Sequence, residues 1–250
     1  HNTEEPELAS SGVMNEGEIS SRLGLPGIPA SAEAIMLQRD LELVRATGAR
    51  YHAAQISPAA SLDIIRRARA DGVVVTCGVS INHLMLNEND IGSYRTFFKM
   101  RPPLRREEDR QALVAGLAAG EIDVVVSGHN PKDADVKRRP FAEAEDGAIG
   151  LETLFSAALT LYHNEDIELT TLLRAFTSTP ARLLGLKSGK LEVGARADLA
   201  LADFQAPWIV DPDRLQSKSK NTPFDECQMQ GRVLRTIVNG NTVFTLGSGT

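Results

Sequence analysis

The sequence predicts an α/β protein: the C-terminal half of a (β/α)8 barrel of the TIM type over residues 1–187, followed by a small β appendage over 188–250. Two observations predict the barrel half. Apolar, strand-like runs alternate with helical patterns, and the long loops follow strands, where a barrel places its active site. The alternative is a doubly wound open sheet, but no strand is followed by a glycine-rich phosphate-binding fingerprint.

Each element has its own local signal. The predicted strands cover 49–56, 73–79 and 122–127, and a further strand is expected just upstream of Asn2. The predicted helices cover 31–47, 57–70, 107–119, 150–163 and 168–178, and a short one begins at Pro180. Ser31 is expected to cap the first helix and Gly48 to close it. The apolar runs at 73–79 and 122–127 are typical of strands buried on both faces.

The pattern changes after Gly185. Three short stretches have the alternating residue pattern that is typical of strands: DLALAD (198–203), PWIV (207–210) and RVLRTIVNGNTVFT (232–245). Asn239-Gly240, between two β-branched runs, is a strong signal for a two-residue hairpin turn.

Composition and net charge argue against some classes of binding partner. The chain has 250 residues, of which 42% are hydrophobic, and a formal net charge of −6. That charge argues against a nucleic acid or an anionic membrane as partner, and no apolar run is long enough to span a bilayer. The only two cysteines, Cys77 and Cys227, do not form a CxxC motif, which favours the reducing cytoplasm. Because the chain opens at His1 without a methionine or secretory signal, we expect it to be part of a longer polypeptide.

In a barrel, the chemistry lies at the carboxyl ends of the strands. These positions hold Asn2, Gln55, Asn82-His83 and Gly128-His129. Amides are poor zinc ligands, glycine offers no side chain, and no two histidines stand at HxH or HxxxH spacing. The residues alone therefore predict no metal site.

Other polar residues remain candidates for binding. His129, after a strand end, is the best candidate for a titrating group, whereas His52 and His163 are expected to be structural. Arg101, before a Pro-Pro turn, is expected either to bind a carboxylate at the barrel mouth or to form a structural ion pair. The run from Lys132 to Arg139 (KDADVKRR) is expected to be a solvated loop, or an anion site if it folds over the pocket.

Several motifs resemble a known family. These are MNEGEISSRLGLPGIPASAE (14–33), FFKMRPPLRREEDRQAL (97–113), GAIGLET (147–153), STPARLLGL (178–186), LEVGARADLAL (191–201) and SKSKNTPF (217–224). In this order and over nearly the whole chain, they resemble the dihydroorotases of the amidohydrolase superfamily. The resemblance implies a zinc-dependent TIM barrel, a small β-sandwich built from both chain ends, and the ring-opening and ring-closing step of pyrimidine synthesis.

The departures from the family lie where that chemistry would be. The family's HxED reads NTEE here, HVAHVS reads HAAQIS, TPHH reads SINH and DHAPH reads GHNPK. The resemblance implies lost zinc ligands at Asn2, Gln55 and Asn82, and a lost metal ligand and general base at Gly128. It also implies altered substrate contacts at Arg101 and Lys132, and His1 replaces Asn2 only if the register slips.

These substitutions predict a catalytically inactive, pseudo-dihydroorotase-like member with no cofactor. We expect it to be a cytoplasmic homo-oligomer and a structural partner of aspartate carbamoyltransferase. Two alternatives remain. One is an active zinc enzyme whose site is completed by an N-terminal part, and the other is a metal-free barrel that binds an anionic substrate through Arg101, Lys132 and perhaps His129.

Overall fold

The computed structural model describes residues 1–247. Its helices are α1 (Pro6–Ala9), α2 (Glu18–Leu23), α3 (Ala30–Thr47), α4 (Ala59–Ala70), α5 (Ile81–Met85), α6 (Glu107–Ala118), α7 (Ala134–Lys137), α8 (Leu154–His163), α9 (Leu169–Phe176) and α10 (Ser178–Leu183). Its strands are β1 (Met14–Asn15), β2 (Gly27–Ile28), β3 (Tyr51–Ala53), β4 (Val75–Ser80), β5 (Val124–Val126), β6 (Leu199–Ile209), β7 (Gln228–Val238) and β8 (Asn241–Thr245).

A three-stranded parallel sheet organises the first part of the chain. Its order, β3-β4-β5, follows the sequence, with Ala53 opposite Cys77 and Ser80 opposite Val126. The backbone of His1 extends the sheet, because its N–H donates to the His52 carbonyl (3.0 Å) and its carbonyl accepts from the Ala54 N–H (2.9 Å). The mixed α/β class is therefore confirmed, and the three strands do not close into a barrel.

Helices α3, α4, α6, α8 and α9 follow or connect the strands and contribute apolar side chains to one core. The α3 helix begins at Ala30 and its N-cap is Pro29, so the predicted cap at Ser31 is wrong by two residues. Leu37, Leu41 and Val44 are buried as predicted, but Ile35 is half exposed, because it lies on the outer side of the helix.

The predicted strands are longer than the observed ones, and the prediction missed several short helical elements. Val74 is 80% exposed, and β4 begins only at Val75. The predicted loop over 80–106 contains α5 and two short 3-10 turns, at Glu88–Ile91 and Thr96–Phe98.

The appendage is an antiparallel sheet of order β6-β7-β8 whose β7 packs against α8. The Asn239-Gly240 hairpin is confirmed, since both residues have positive φ (50° and 79°) between β7 and β8. The described strands form one sheet here, so the β-sandwich stays a prediction, and the predicted boundary at residue 188 is untested. Residues 248–250 of the predicted appendage lie outside the described residues.

Buried polar groups fasten the long loops to the core. The Arg105 guanidinium donates to Ser57 Oγ (3.0 Å), Asn15 Oδ1 (2.9 Å) and the Ile28 carbonyl (2.9 Å), and lies 3.9 Å from Glu33. Burial raises the pKa of Glu33 and lowers that of Arg105. This network holds the loop that carries Arg101 in a fixed position.

No helix among residues 1–247 has the length and apolarity that a bilayer span needs.

Candidate active site

The four substituted positions lie at neighbouring strand ends. Asn2 follows the residue that pairs with β3, and Gln55 follows β3 itself. Asn82 lies in α5, directly after β4, and Gly128 comes two residues after β5. Because β3, β4 and β5 are parallel neighbours, their carboxyl ends meet at one edge of the sheet.

A side chain at position 128 would be crowded by Ser80 and Asn82 as the chain is arranged. Its φ is +61°, and a Cβ built there would lie 2.5 Å from Ser80 Oγ and 3.2 Å from Asn82 Nδ2. Ser80 Oγ is engaged at the start of α5, where it accepts from the Asn82 N–H at 3.2 Å. A side chain at 128 therefore requires these neighbours and the backbone to move.

One carboxamide at these strand ends, that of Asn82, has an oxygen without a partner in the described part of the chain. Asn82 is buried, yet its Oδ1 has no hydrogen-bond partner within residues 1–247. The neighbour of Asn2, Thr3, also has a buried hydroxyl without a partner in this part of the chain. Two buried polar atoms near the strand ends therefore lack a hydrogen-bond partner within residues 1–247.

Zinc does not fit the residues present. Structural and catalytic zinc sites use thiolate, imidazole and carboxylate ligands. Across residues 1–247, no three His, Cys, Asp or Glu side chains are placed to hold a metal ion. The described residues also offer no base at position 128 to take a proton from a bound water.

The ring of His1 does not substitute for an imidazole at position 2. Its Nδ1 lies 2.5 Å from Asp40 Oδ2 on α3, and the same carboxylate accepts from the Tyr51 hydroxyl at 2.7 Å. Burial, with the Asp40 contact adding to it, raises the pKa of Tyr51 far above its usual range. This cluster ties β3 to α3 and turns His1 away from the strand ends.

His83 supports the loop that carries Arg101. Its Nε2 is 3.1 Å from the Pro102 carbonyl and 3.2 Å from the Pro103 carbonyl. Burial, reinforced by the nearby Arg105 cation, lowers the pKa of His83 to about 4. The imidazole is thus neutral at physiological pH and holds a loop in place.

His129 accepts backbone hydrogen bonds. Its Nδ1 accepts from the N–H groups of Gly150 (3.2 Å) and Leu151 (3.4 Å), just before α8. These bonds join the end of β5 to the start of α8. His52, expected to be structural, lies beside Thr76, with its Nδ1 2.9 Å from the hydroxyl.

Arg101 forms an ion pair with Glu4, a residue of the NTEE stretch. Its Nε lies 2.8 and 2.9 Å from the two carboxylate oxygens, and its Nη2 donates to the Ala9 carbonyl at 3.2 Å. Of the two roles expected from the sequence, these contacts favour the structural ion pair. The NTEE stretch held the signal, but nothing in the sequence joined residues 4 and 101.

Lys132 is also paired, with its Nζ 2.9 Å from Glu145 Oε2. The predicted solvated loop around it is partly wrong, because Ala134–Lys137 is a helix and Lys137 is buried. The Lys137 ammonium donates to the Glu145 carbonyl at 2.8 Å, and burial lowers its pKa to about 8. Arg101, Lys132 and Lys137 are therefore engaged by carboxylates or carbonyls.

Comparison with known proteins decides the family. The profile described as "Amidohydrolase family" matches residues 10–243. The chain belongs to the amidohydrolase family. The dihydroorotase of Anaplasma phagocytophilum (strain HZ) is 43% identical over 242 residues, which are 96% of this chain and 54% of that protein. The dihydroorotase of Anaeromyxobacter sp. (strain K) is 44% identical over 246 residues, 98% of this chain and 57% of that protein. These relatives confirm the resemblance to dihydroorotases.

Solved structures agree with this assignment. The L-hydantoinase (dihydropyrimidinase) from Arthrobacter aurescens superposes with a TM-score of 0.86 at 26% identity, covering 98% of this chain and 55% of that one. The dihydropyrimidinase from Brevibacillus agri NCHU1002 has a TM-score of 0.83 at 20% identity, covering 98% and 56%. This amidohydrolase-family chain spans about half the length of the curated relatives it matches.

Proposed function

We propose that this chain is the C-terminal barrel half of a dihydroorotase homologue of pyrimidine biosynthesis that has lost catalysis. The parallel strands β3, β4 and β5 lie in sequential order, as consecutive strands of a (β/α)8 barrel do, which supports the half-barrel. The family match and the similarity to dihydroorotases support the pathway.

Loss of catalysis rests above all on Gly128. The family mechanism needs a base at this position, and here the space beside the backbone is taken by Ser80 and Asn82. An N-terminal part of the protein can contribute further metal ligands, but hydrolysis by the family mechanism still lacks its base. No cofactor is therefore proposed.

The second alternative, a metal-free barrel that binds an anionic substrate through Arg101 and Lys132, has less support because both cations are already paired. Binding an anionic substrate needs a cation that is free to meet it, whereas Arg101 is paired with Glu4 and Lys132 with Glu145. Using either cation costs the separation of an existing ion pair.

The proposed role is that of a scaffold. The buried network around Arg105 and the backbone contacts of His83 and His129 preserve the fold, while the catalytic positions have changed. Selection for an interaction surface alone leaves this pattern. We propose that the protein is a cytoplasmic homo-oligomer that supports the assembly of aspartate carbamoyltransferase.

The test is the assembly itself. The full-length protein and the aspartate carbamoyltransferase of the same organism are purified separately, mixed, and resolved by size-exclusion chromatography with light scattering. The proposal expects one larger complex of fixed stoichiometry. Two independent peaks at working concentration contradict the scaffold role.

A further inference from the structure

A groove of about 480 Å³ runs between helices α3 and α4. Its lining side chains lie three or four positions apart on each helix, so each set occupies one helical face. They include Ile35, Arg39 and Glu42 on α3, and Ile64, Arg67 and Asp71 on α4. Arg45, in the last turn of α3, donates to Asp71 at the end of α4 (3.1 Å). The two helices therefore run parallel, and this ion pair lies at one end of the groove.

The other end of the groove is apolar. Ile35 precedes Arg45 by ten residues, which is about 15 Å along the helix. Its side chain is 48% exposed. The floor of the groove includes Leu41 and Ile64, which are buried and belong to the hydrophobic core. This end therefore offers an apolar contact to a side chain from outside.

Between the two ends lies an arginine without an ion pair. Helix α4 carries three arginines, and the two outside the groove lining, Arg66 and Arg69, are each paired with a carboxylate at 2.6 Å. Arg67 lines the groove, and within residues 1–247 its guanidinium makes only one hydrogen bond, from Nε to the Asp63 carbonyl (3.3 Å). Its two terminal nitrogens are thus available to a ligand.

The carboxylates of the groove do not neutralise this cation. Glu42 and Asp71 line the groove, and Arg45 donates to both. With Arg39 and Arg67, the lining holds three guanidinium groups and two carboxylates. The chain as a whole has the opposite balance, with a net charge of −6. The groove is therefore a basic site with an apolar end on an acidic protein, and it is complementary to a carboxylate.

We propose that this groove binds an acidic amphipathic helix of a partner protein, with an apolar side chain on Ile35 and a carboxylate on Arg67. A helix fits because the groove follows two parallel helices for about 15 Å, which is nearly three turns. A guanidinium group with free nitrogens pairs with a carboxylate through two parallel hydrogen bonds.

The spacing of the groove residues defines the partner further. Ile64 precedes Arg67 by three residues, and Ile35 precedes Arg39 by four, so the apolar end and the cations are about one turn apart. A partner helix that runs along the groove therefore carries an apolar and an acidic residue three or four positions apart. The inference does not depend on the proposed function, because the groove lies between two helices and not at the strand ends.

A synthetic peptide tests the inference on the full-length protein. The peptide is a helix of about 16 residues with leucine and glutamate four positions apart on one face. The control peptide has glutamine in place of glutamate. Fluorescence anisotropy measures the binding of both. We expect the acidic peptide to bind with a dissociation constant below about 1 mM, and the control peptide to bind at least fivefold more weakly.

Variants of the protein locate the bound peptide. Arg67→Glu and Ile35→Ser should each weaken binding of the acidic peptide at least fivefold. Arg67→Glu should also gain binding to a peptide in which lysine replaces the glutamate. The matched controls are Arg22→Glu, on α2, and Leu43→Ser, on α3 outside the groove lining, and they should leave binding unchanged. All four side chains are exposed, so the thermal midpoint should stay the same.

Three results overturn the inference: no binding of the acidic peptide, equal binding of the control peptide, or equal effects of the groove variants and their controls. Sedimentation velocity distinguishes a partner protein from a second copy of this chain. A dimer that Arg67→Glu dissociates would mean that a second copy occupies the groove, and it would also overturn the inference. The comparison of the two peptides uses the unaltered protein, so it stands even if a variant folds poorly.

Discussion

A Cβ atom on Gly128 would lie 2.5 Å from the hydroxyl oxygen of Ser80. This relationship joins the end of β5 to the start of α5, at the position where the resemblance to dihydroorotases implies a metal ligand and base. A side chain at position 128 would therefore meet the side chains at the end of β4 and just after it. Restoring one residue does not restore a site.

Gly128→Asp should destabilise the protein by about 2–3 kcal/mol, because it combines a left-handed backbone with a steric conflict. It should bind no more zinc than the wild type, since the other ligand positions remain carboxamides. Urea unfolding and metal analysis after dialysis measure the two effects.

Gly185→Ala is the matched control for backbone strain. Gly185 also has a left-handed φ (+67°), but nothing lies within 4 Å of its Cβ position. Gly185→Ala should lower the free energy of unfolding by only about 1 kcal/mol. Gly128→Ala should lower it by more. Equal costs at the two glycines would show that Ser80 does not crowd position 128.

Arg101→Ala should lower the free energy of unfolding by about 1 kcal/mol, because the ion pair with Glu4 is partly exposed. Glu4→Ala should have a similar effect, and the double mutant should cost less than the sum. Arg22→Ala, which removes an exposed arginine from α2, is the control. Additive effects of Arg101→Ala and Glu4→Ala would mean that the pair is not a structural unit.

His83 should make stability depend on pH below neutrality. Its pKa is lowered to about 4 in the fold, whereas an unfolded histidine titrates near 6.5. Because the unfolded chain takes up the proton first, stability is complete above about pH 6.5 and falls as the pH drops towards 4. The full effect corresponds to about 3 kcal/mol.

His83→Gln keeps a side-chain donor for the proline carbonyls but does not titrate. The difference in unfolding free energy between wild type and this variant should therefore change between pH 6.5 and 4.5. A difference that stays constant over that interval would place His83 in a more solvated position than the structure does. His163→Gln controls for the loss of a histidine.

Arg105→Ala should cost about 3–5 kcal/mol, because it leaves Glu33 buried without its cation and removes bonds to Ser57 and Asn15. Arg106→Ala, at the exposed neighbouring residue, should change stability by less than about 0.5 kcal/mol. Thermal unfolding compares the two variants. A small loss at position 105 would show that the loop before α6 is held by other contacts.

Much of the fold was predictable because local signals agree with it. The apolar runs at 73–79 and 122–127, the closing Gly48 and the Asn239-Gly240 turn each specify their element through backbone preferences. Strand lengths were not predictable, because an exposed valine such as Val74 satisfies the same β-branched pattern as a buried one.

The lost ligands of the candidate site stay a prediction from the sequence, and the partners of its polar groups could not be predicted. Asn2, Gln55, Asn82 and Gly128 stand out against the family pattern. The partners of the remaining polar groups come from distant parts of the chain, as Glu4 does for Arg101 across 97 residues. No local sequence pattern encodes such pairs. The ion pairs of Arg101 with Glu4 and of Lys132 with Glu145 could therefore be found only in the structure.

The most direct test of the central claim is dihydroorotate hydrolysis by the purified full-length protein, with and without added zinc. We predict a rate equal to the background without enzyme, unchanged by zinc, because position 128 supplies no base. A zinc-dependent rate well above background would contradict the account and would mean that the N-terminal part rebuilds a working site.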